Sequence, residues 1–90
     1  MILLQTPGFI RSAKAILKPQ MSDDIRMTLV TLSENPFDYK LKTHKLKGKL
    51  IGSYSCSAGY DLRIIFQIIS DQNNQESILL EAIGTHDEVY

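Results

Sequence analysis

The stretch Tyr60-Asp61-Leu62-Arg63-Ile64-Ile65-Phe66-Gln67-Ile68-Ile69-Ser70 decides the fold. Side chains of an extended chain alternate between two faces. Tyr60, Leu62, Ile64, Phe66 and Ile68 therefore share one side, and Asp61, Arg63, Ile65, Gln67 and Ile69 the other. The first set suits a core. The second begins with an acid and an arginine, which places a more open face, fit for a substrate groove, near the start of the strand.

Working outward, Asp71-Gln72-Asn73-Asn74 and Ala58-Gly59 read as hairpin turns, predicting flanking strands over 77–83 and 50–57. Ile2-Leu3-Leu4-Gln5 reads as a short first strand, with Thr6 as N-cap and Pro7 at the first helical position. Phe9, Ile10, Ala13, Ile16 and Leu17 recur at helical spacing over 8–18, and Pro19 stops that helix. Ser22 with Asp23 and Asp24 signals a second helix, acids favouring the positive end of its dipole, and Ile25, Leu29 and Leu32 carry its apolar stripe to about residue 33. Asn35-Pro36 ends it. The segment 37–49 has no clear period and reads as an exposed connection carrying lysines and His44. The order β-α-α-β-β-β predicts an α+β fold over 1–90, a small, mostly antiparallel sheet packed against an N-terminal two-helix hairpin, with one side of the sheet available.

Ninety residues suit one domain, whose core removes only about 60–65% of the unfolded chain's surface from water, so a stabilising partner has a place. A hydrophobic fraction of 43% with 22% charged residues is ordinary for a globular protein. No apolar run approaches the roughly 20 residues of a membrane helix, so no membrane role is expected. Met1-Ile2-Leu3-Leu4 is too short for a signal-peptide core and lacks a basic start, which points to the cytoplasm. Cys56 is the single cysteine; it forms no internal disulfide, and as a lone thiol in a strand it reads as buried filler rather than a nucleophile. The formal charge is zero, yet Lys40, Lys42, Lys45, Lys47 and Lys49 fall in ten residues with no acid among them. That is either a phosphate-binding patch or a solvated loop.

Three segments carry a family resemblance: His44-Lys45-Leu46-Lys47-Gly48, Gly59-Tyr60-Asp61-Leu62-Arg63-Ile64-Ile65-Phe66 and Gly84-Thr85-His86-Asp87-Glu88-Val89-Tyr90. With them the chain resembles the RelE/ParE superfamily of toxins from bacterial type II toxin–antitoxin systems, most closely the YafQ-like mRNA interferases. The resemblance implies cleavage of mRNA in the ribosomal decoding site, without metal or other cofactor, by attack of a ribose 2′-oxygen on the adjacent phosphate. It further implies an acidic, partly disordered antitoxin as partner. His44 resembles the histidine before the Leu-x-Gly turn of YafQ-like toxins, Asp61 their aspartate at the start of the central strand, and His86 the histidine of their Gly-Thr-His motif. Arg63 resembles the strand arginine of RelE-type enzymes, and Tyr90 stands where related toxins carry a C-terminal aromatic. The chain departs from the pattern at Ser57, where YafQ-like toxins have another histidine, and over 52–56, which lacks the lysines of RelE.

The chemistry of the residues agrees with that class. Metal-free RNA cleavage needs a base for the 2′-hydroxyl, an acid for the 5′-oxygen and positive charge on the phosphorane, and histidine is suited to proton transfer near neutral pH. His86, His44, Asp61 and Arg63 are the candidate catalytic residues, with Lys42, Lys45, Lys47, Lys49 and Tyr90 as candidate substrate-binding residues. Arg63 is suited to two-pronged phosphate contact; its alternative is an ion pair with Asp61 or Glu81. For His86 the alternative is a turn residue, for His44 a structural or RNA-positioning role, and for Asp61 the orientation of a histidine. Two other functions fit the same fold: a ParE-like inhibitor of DNA gyrase, and a degenerate toxin that only binds its antitoxin.

Overall fold

The computed structural model describes the backbone of every residue except 17, 18, 60 and 90; the side chains of these and of 19–22, 87 and 88 lie outside the description. Leu17, Lys18, Tyr60 and Tyr90 are therefore not placed. The elements are β1 (Ile2–Gln5), α1 (Pro7–Ile16), α2 (Pro19–Glu34), β2 (His44–Lys45), β3 (Tyr54–Ser57), β4 (Leu62–Ser70), β5 (Glu76–Thr85) and α3 (His86–Val89), with short 3₁₀ turns at Tyr39–Leu41 and Gly48–Leu50.

All five strands form one mixed sheet in the order β1-β5-β4-β3-β2. β4 is central, as expected, and pairs antiparallel with both β3 and β5. β1 is the one parallel member; it runs beside β5 with Ile2 opposite Ser77 and Gln5 opposite Leu80. The α+β architecture predicted from the sequence is present.

Leu62, Ile64 and Phe66 enter the core with Phe9, Leu32, Cys56, Ile78, Leu80 and Ile83, and Ile25 and Leu29 of α2 pack against that cluster. At about 25 cal/mol per Å² of apolar surface removed from water, this cluster is the main favourable term of the fold. α1 lies against β5. Its N-cap is Thr6: the Thr6 hydroxyl oxygen accepts from Phe9 N–H at 3.1 Å and the hydroxyl donates to Leu80 O at 2.9 Å. One residue thus caps the helix and ties it to β5 at a bulge, where Ile65 opposes Ala82, Phe66 opposes Leu80, and Glu81 is the extra residue.

Several boundaries differ from expectation. Pro19 opens α2 instead of merely closing α1, since proline's fixed φ and missing N–H suit a first helical position. Asp23 and Asp24 consequently lie beyond the first turn and do not start the helix. The connection 37–49 is structured: Leu41 is buried, and β2 pairs His44 with Ser55 and Lys45 with Tyr54. The strand expected over 50–57 begins only at Tyr54, because Gly48–Leu50 forms a 3₁₀ turn. Asp61 precedes β4 and is not part of it. The second face of the sheet is also less open than predicted. Ser55 and Ile65, which point away from the helices, are 0% and 2% exposed, and α3 lies against β4 and β5 on the way out of the sheet.

Candidate active site

The turn that feeds β4 sets the site. Gly59 has φ 94° and Asp61 φ 61°, left-handed conformations that glycine adopts freely and aspartate tolerates. They reverse the chain so that Ala58 N–H donates to Leu62 O at 2.9 Å. Gly59 is required sterically as well: a Cβ there would lie 2.8 Å from Asp24 Oδ2. α2 therefore closes directly over the turn.

Beside this turn lies a cleft of about 800 Å³ between the sheet, the 39–42 segment and α2. β2 is only two residues long and pairs only Tyr54 and Ser55 of β3, which leaves this end of the sheet margin for the cleft. Ser57, Asp61 and Arg63 line it from the sheet side, Lys40 and Lys42 from the 3₁₀ turn and its cap, and Asp24, Thr28 and Thr31 from α2.

Arg63 is half-buried and its Nη1 donates to Leu62 O at 2.9 Å. Among the described residues it makes no ion pair. Glu81, one of its two alternative partners, instead accepts from Ser53 Oγ at 2.7 Å. The rest of the guanidinium is thus available to an anion entering the cleft.

The two histidines stand on either side of this centre. His86 opens α3 directly after Thr85, whose partner across the sheet is Leu62. Asp61 and His86 are therefore the residues just beyond the last rung of the β4–β5 ladder, one on each strand. His44 is exposed on β2, with Nδ1 3.2 Å from Lys42 O. It lies in the row His44–Ser55–Ile65–Ala82, next to the row Ser57–Arg63–Gly84 on the same face. Strand spacing separates the His44 and Arg63 Cα atoms by roughly 12 Å.

The structure thus brings Asp61, Arg63 and Lys42 into one cleft, sets His86 beside the end of the same ladder, and leaves His44 across β3. The lysine run is divided. Lys42 lines the cleft, Lys45 is exposed on β2, and Lys47 and Lys49 line a second hollow of about 400 Å³ with Leu46, Leu50 and Val89. Tyr90 lies outside the described residues.

Sequence reasoning did not assign Lys40, Asp24, Thr28 or Thr31 to the site. Lys40 was visible only as one of five lysines. Thr28 and Thr31 lie one helical turn apart, and four and seven residues beyond Asp24, the i, i+4, i+7 signature of one helix face. That polar stripe beside the apolar one was the available signal.

Cys56 plays no part in this chemistry. It is fully buried, and burial pushes its thiol up to about 12, with a backbone hydrogen bond from Ile64 and the charge of Arg63 working in the opposite sense. Among the described residues no group of three or more histidine, cysteine, aspartate or glutamate side chains is arranged to hold a metal ion, and no helix is long and apolar enough to cross a membrane.

Comparison with known proteins places the architecture. No family model matches the chain, and no curated protein matches it in sequence. Solved structures do. YafQ from E. coli superimposes with a TM-score of 0.79 at 18% identity, covering 98% of this chain and 96% of that one. The YoeB/ParE toxin from Agrobacterium tumefaciens gives 0.77 at 17% identity, over 96% and 99% of the two chains. YafQ in the E. coli DinJ–YafQ complex gives 0.68 at 20% identity, over 98% and 96%. The fold is that of the RelE/ParE-like toxins, YafQ among them.

Proposed function

We propose that this chain is the toxin of a type II toxin–antitoxin system and that it cleaves mRNA as a metal-independent endoribonuclease acting at the ribosome in the cytoplasm. The observation that carries the reading is Arg63, a half-buried guanidinium without an ion-pair partner among the described residues, facing a cleft that also holds Lys40, Lys42 and Asp61. An arginine with one N–H on a backbone carbonyl and none on a carboxylate keeps its remaining donors for a ligand. One left for a ligand suits a phosphate.

In this mechanism the 2′-hydroxyl of the nucleotide before the scissile bond attacks the phosphorus. Its proton passes to a base, the P–O5′ bond breaks, and the 5′-oxygen takes a proton from an acid, leaving a 2′,3′-cyclic phosphate and a 5′-hydroxyl. Arg63 makes two-pronged contact with the non-bridging oxygens as charge develops there. Lys42, with Lys45, Lys47 and Lys49, attracts the backbone. His86 supplies the leaving-group proton, Asp61 orients or deprotonates at the ladder end beside it, and His44 holds or deprotonates the neighbouring nucleotide from β2. Tyr90 is assigned a substrate-binding role by family resemblance alone.

The fold shared with YafQ, which is known in complex with DinJ, supports a protein partner here, and we assign that partner as an acidic antitoxin. Primer extension on mRNA after brief induction tests the function. Discrete new 5′ ends that vanish in Arg63→Ala are expected. Intact mRNA with DNA damage and filamentation would identify gyrase inhibition instead, and neither effect would leave an antitoxin-binding protein without activity.

A further inference from the structure

The two sides of the cleft differ in hydrogen-bonding character. On the α2 side every polar group is an acceptor. Thr28 Oγ1 donates its proton to Asp24 O at 2.7 Å, and Thr31 Oγ1 donates to Met27 O at 3.0 Å, so each hydroxyl has only lone pairs left for a ligand. The Asp24 carboxylate is exposed and accepts nothing from the described residues, and it lies close over Gly59, where an added Cβ would stand 2.8 Å from Oδ2. On the opposite side stand the cations Arg63, Lys40 and Lys42. The apolar side chains of Met27 and Leu41 also line the space, surface that suits the face of a planar ring.

A ligand matching both sides carries an anion at one end, N–H donors at the other and a flat apolar body between them. A nucleotide has that form. We infer that Asp24 is a specificity-determining residue that reads the Watson–Crick edge of one unpaired base, and that the base it selects is guanine; the inference rests on the RNA-cleaving reading above. Guanine presents two adjacent donors, N1–H and N2–H, which one carboxylate accepts together. Adenine and cytosine each place an acceptor beside their amino group and set a lone pair against the carboxylate. Uracil presents a single donor between two carbonyls. Desolvated acceptors facing each other oppose binding, so Asp24 both attracts guanine and rejects the others.

The test is the sequence around the cleavage sites, mapped by primer extension on one mRNA for the parent protein and for Asp24→Asn. For the parent, guanine is expected at one fixed position relative to the cut, favoured roughly 5- to 150-fold over adenine, the discrimination that one two-pronged base contact supplies. Asparagine offers a donor and an acceptor, the pattern complementary to the amino group and adjacent ring nitrogen of adenine and of cytosine. Asp24→Asn should therefore lose the guanine preference and gain adenine or cytosine at the same position. A companion substrate with inosine at that position, which lacks the N2 amino group, should be cut more slowly by the parent and no differently from guanine by Asp24→Ala. Cleavage without a guanine preference, or a preference unchanged in both variants, overturns the inference and leaves the nuclease intact. Absence of any cleavage by the parent overturns both.

Discussion

Under the proposed mechanism, Arg63 and His86 are the residues whose replacement separates chemistry from fold. Arg63→Lys keeps a positive charge but not the planar fork, so single-turnover cleavage by this variant should fall nearly as far as in Arg63→Ala. Recovery of full activity in the lysine variant would reduce Arg63 to a source of charge. His86 is exposed, and its replacement by alanine should leave the melting temperature near that of the parent while lowering cleavage by about 10²–10⁴-fold, the usual loss for one placed general acid. A variant as toxic as the parent at equal soluble level would show that the acid lies elsewhere. Cys56 gives a third outcome, on stability alone. Its thiol is raised from 9.0 to about 12 in the folded protein, chiefly by burial. The folded value is the higher one, so the contribution is whole below pH 9.0 and is lost as pH rises from there toward 12, at up to about 1.4 kcal/mol per pH unit. Denaturation of the parent should therefore steepen between pH 9 and 11 relative to Cys56→Ala.

At the scale of elements, the long segments were legible and the short ones were not. β4 was legible as the strand expected over 60–70, of which Leu62–Ser70 forms, because it alternates with an apolar face, and α1 because Thr6-Pro7 leads into a clear stripe. β2 was illegible because a two-residue strand has no period; it exists through its pairing with Ser55 and Tyr54, a tertiary fact. The same limit hid the start of α2, where the signal at Ser22 to Asp24 was a face of the helix and not its beginning. In the site, the residues carried by motif, Asp61 and Arg63, were legible, whereas Asp24, Thr28 and Thr31 reach the cleft only because α2 folds over Gly59. The turn is sensitive for that reason. Gly59→Ala places a side chain at φ 94° and against Asp24, and should cost about 1–2 kcal/mol or more in a denaturant titration. The lysines answer at this scale too. Replacing Lys40 and Lys42 with glutamine should weaken RNA binding and reduce its salt slope. The same change at Lys47 and Lys49, in the other hollow, should reduce the slope while disturbing cleavage less. Equal effects of both pairs on cleavage would argue against a division of the patch.

For the whole molecule, the modest core of a 90-residue chain makes binding and stability hard to separate. A partner present at about 100 times its dissociation constant adds about 2.7 kcal/mol. For a domain of this size that corresponds to a rise in melting temperature of roughly 10–20 °C. Thermal scans with and without the acidic antitoxin proposed above should show it, together with rescue of growth on co-expression. A candidate that neither binds nor rescues would count against the antitoxin assignment. The connectivity of the sheet has a consequence in time. Ile2 pairs with Ser77, and Arg63 gains its neighbour Gly84 only from the same last strand. At about 5–20 residues per second, β1 waits roughly 4–15 s on the ribosome before its partner has been synthesised. Throughout that interval β4 lacks one neighbour and the ladder end beside Asp61 does not exist. Under the reading proposed above, a nascent chain still short of β5 has no assembled cleavage centre, and activity begins only after that strand has docked on β4.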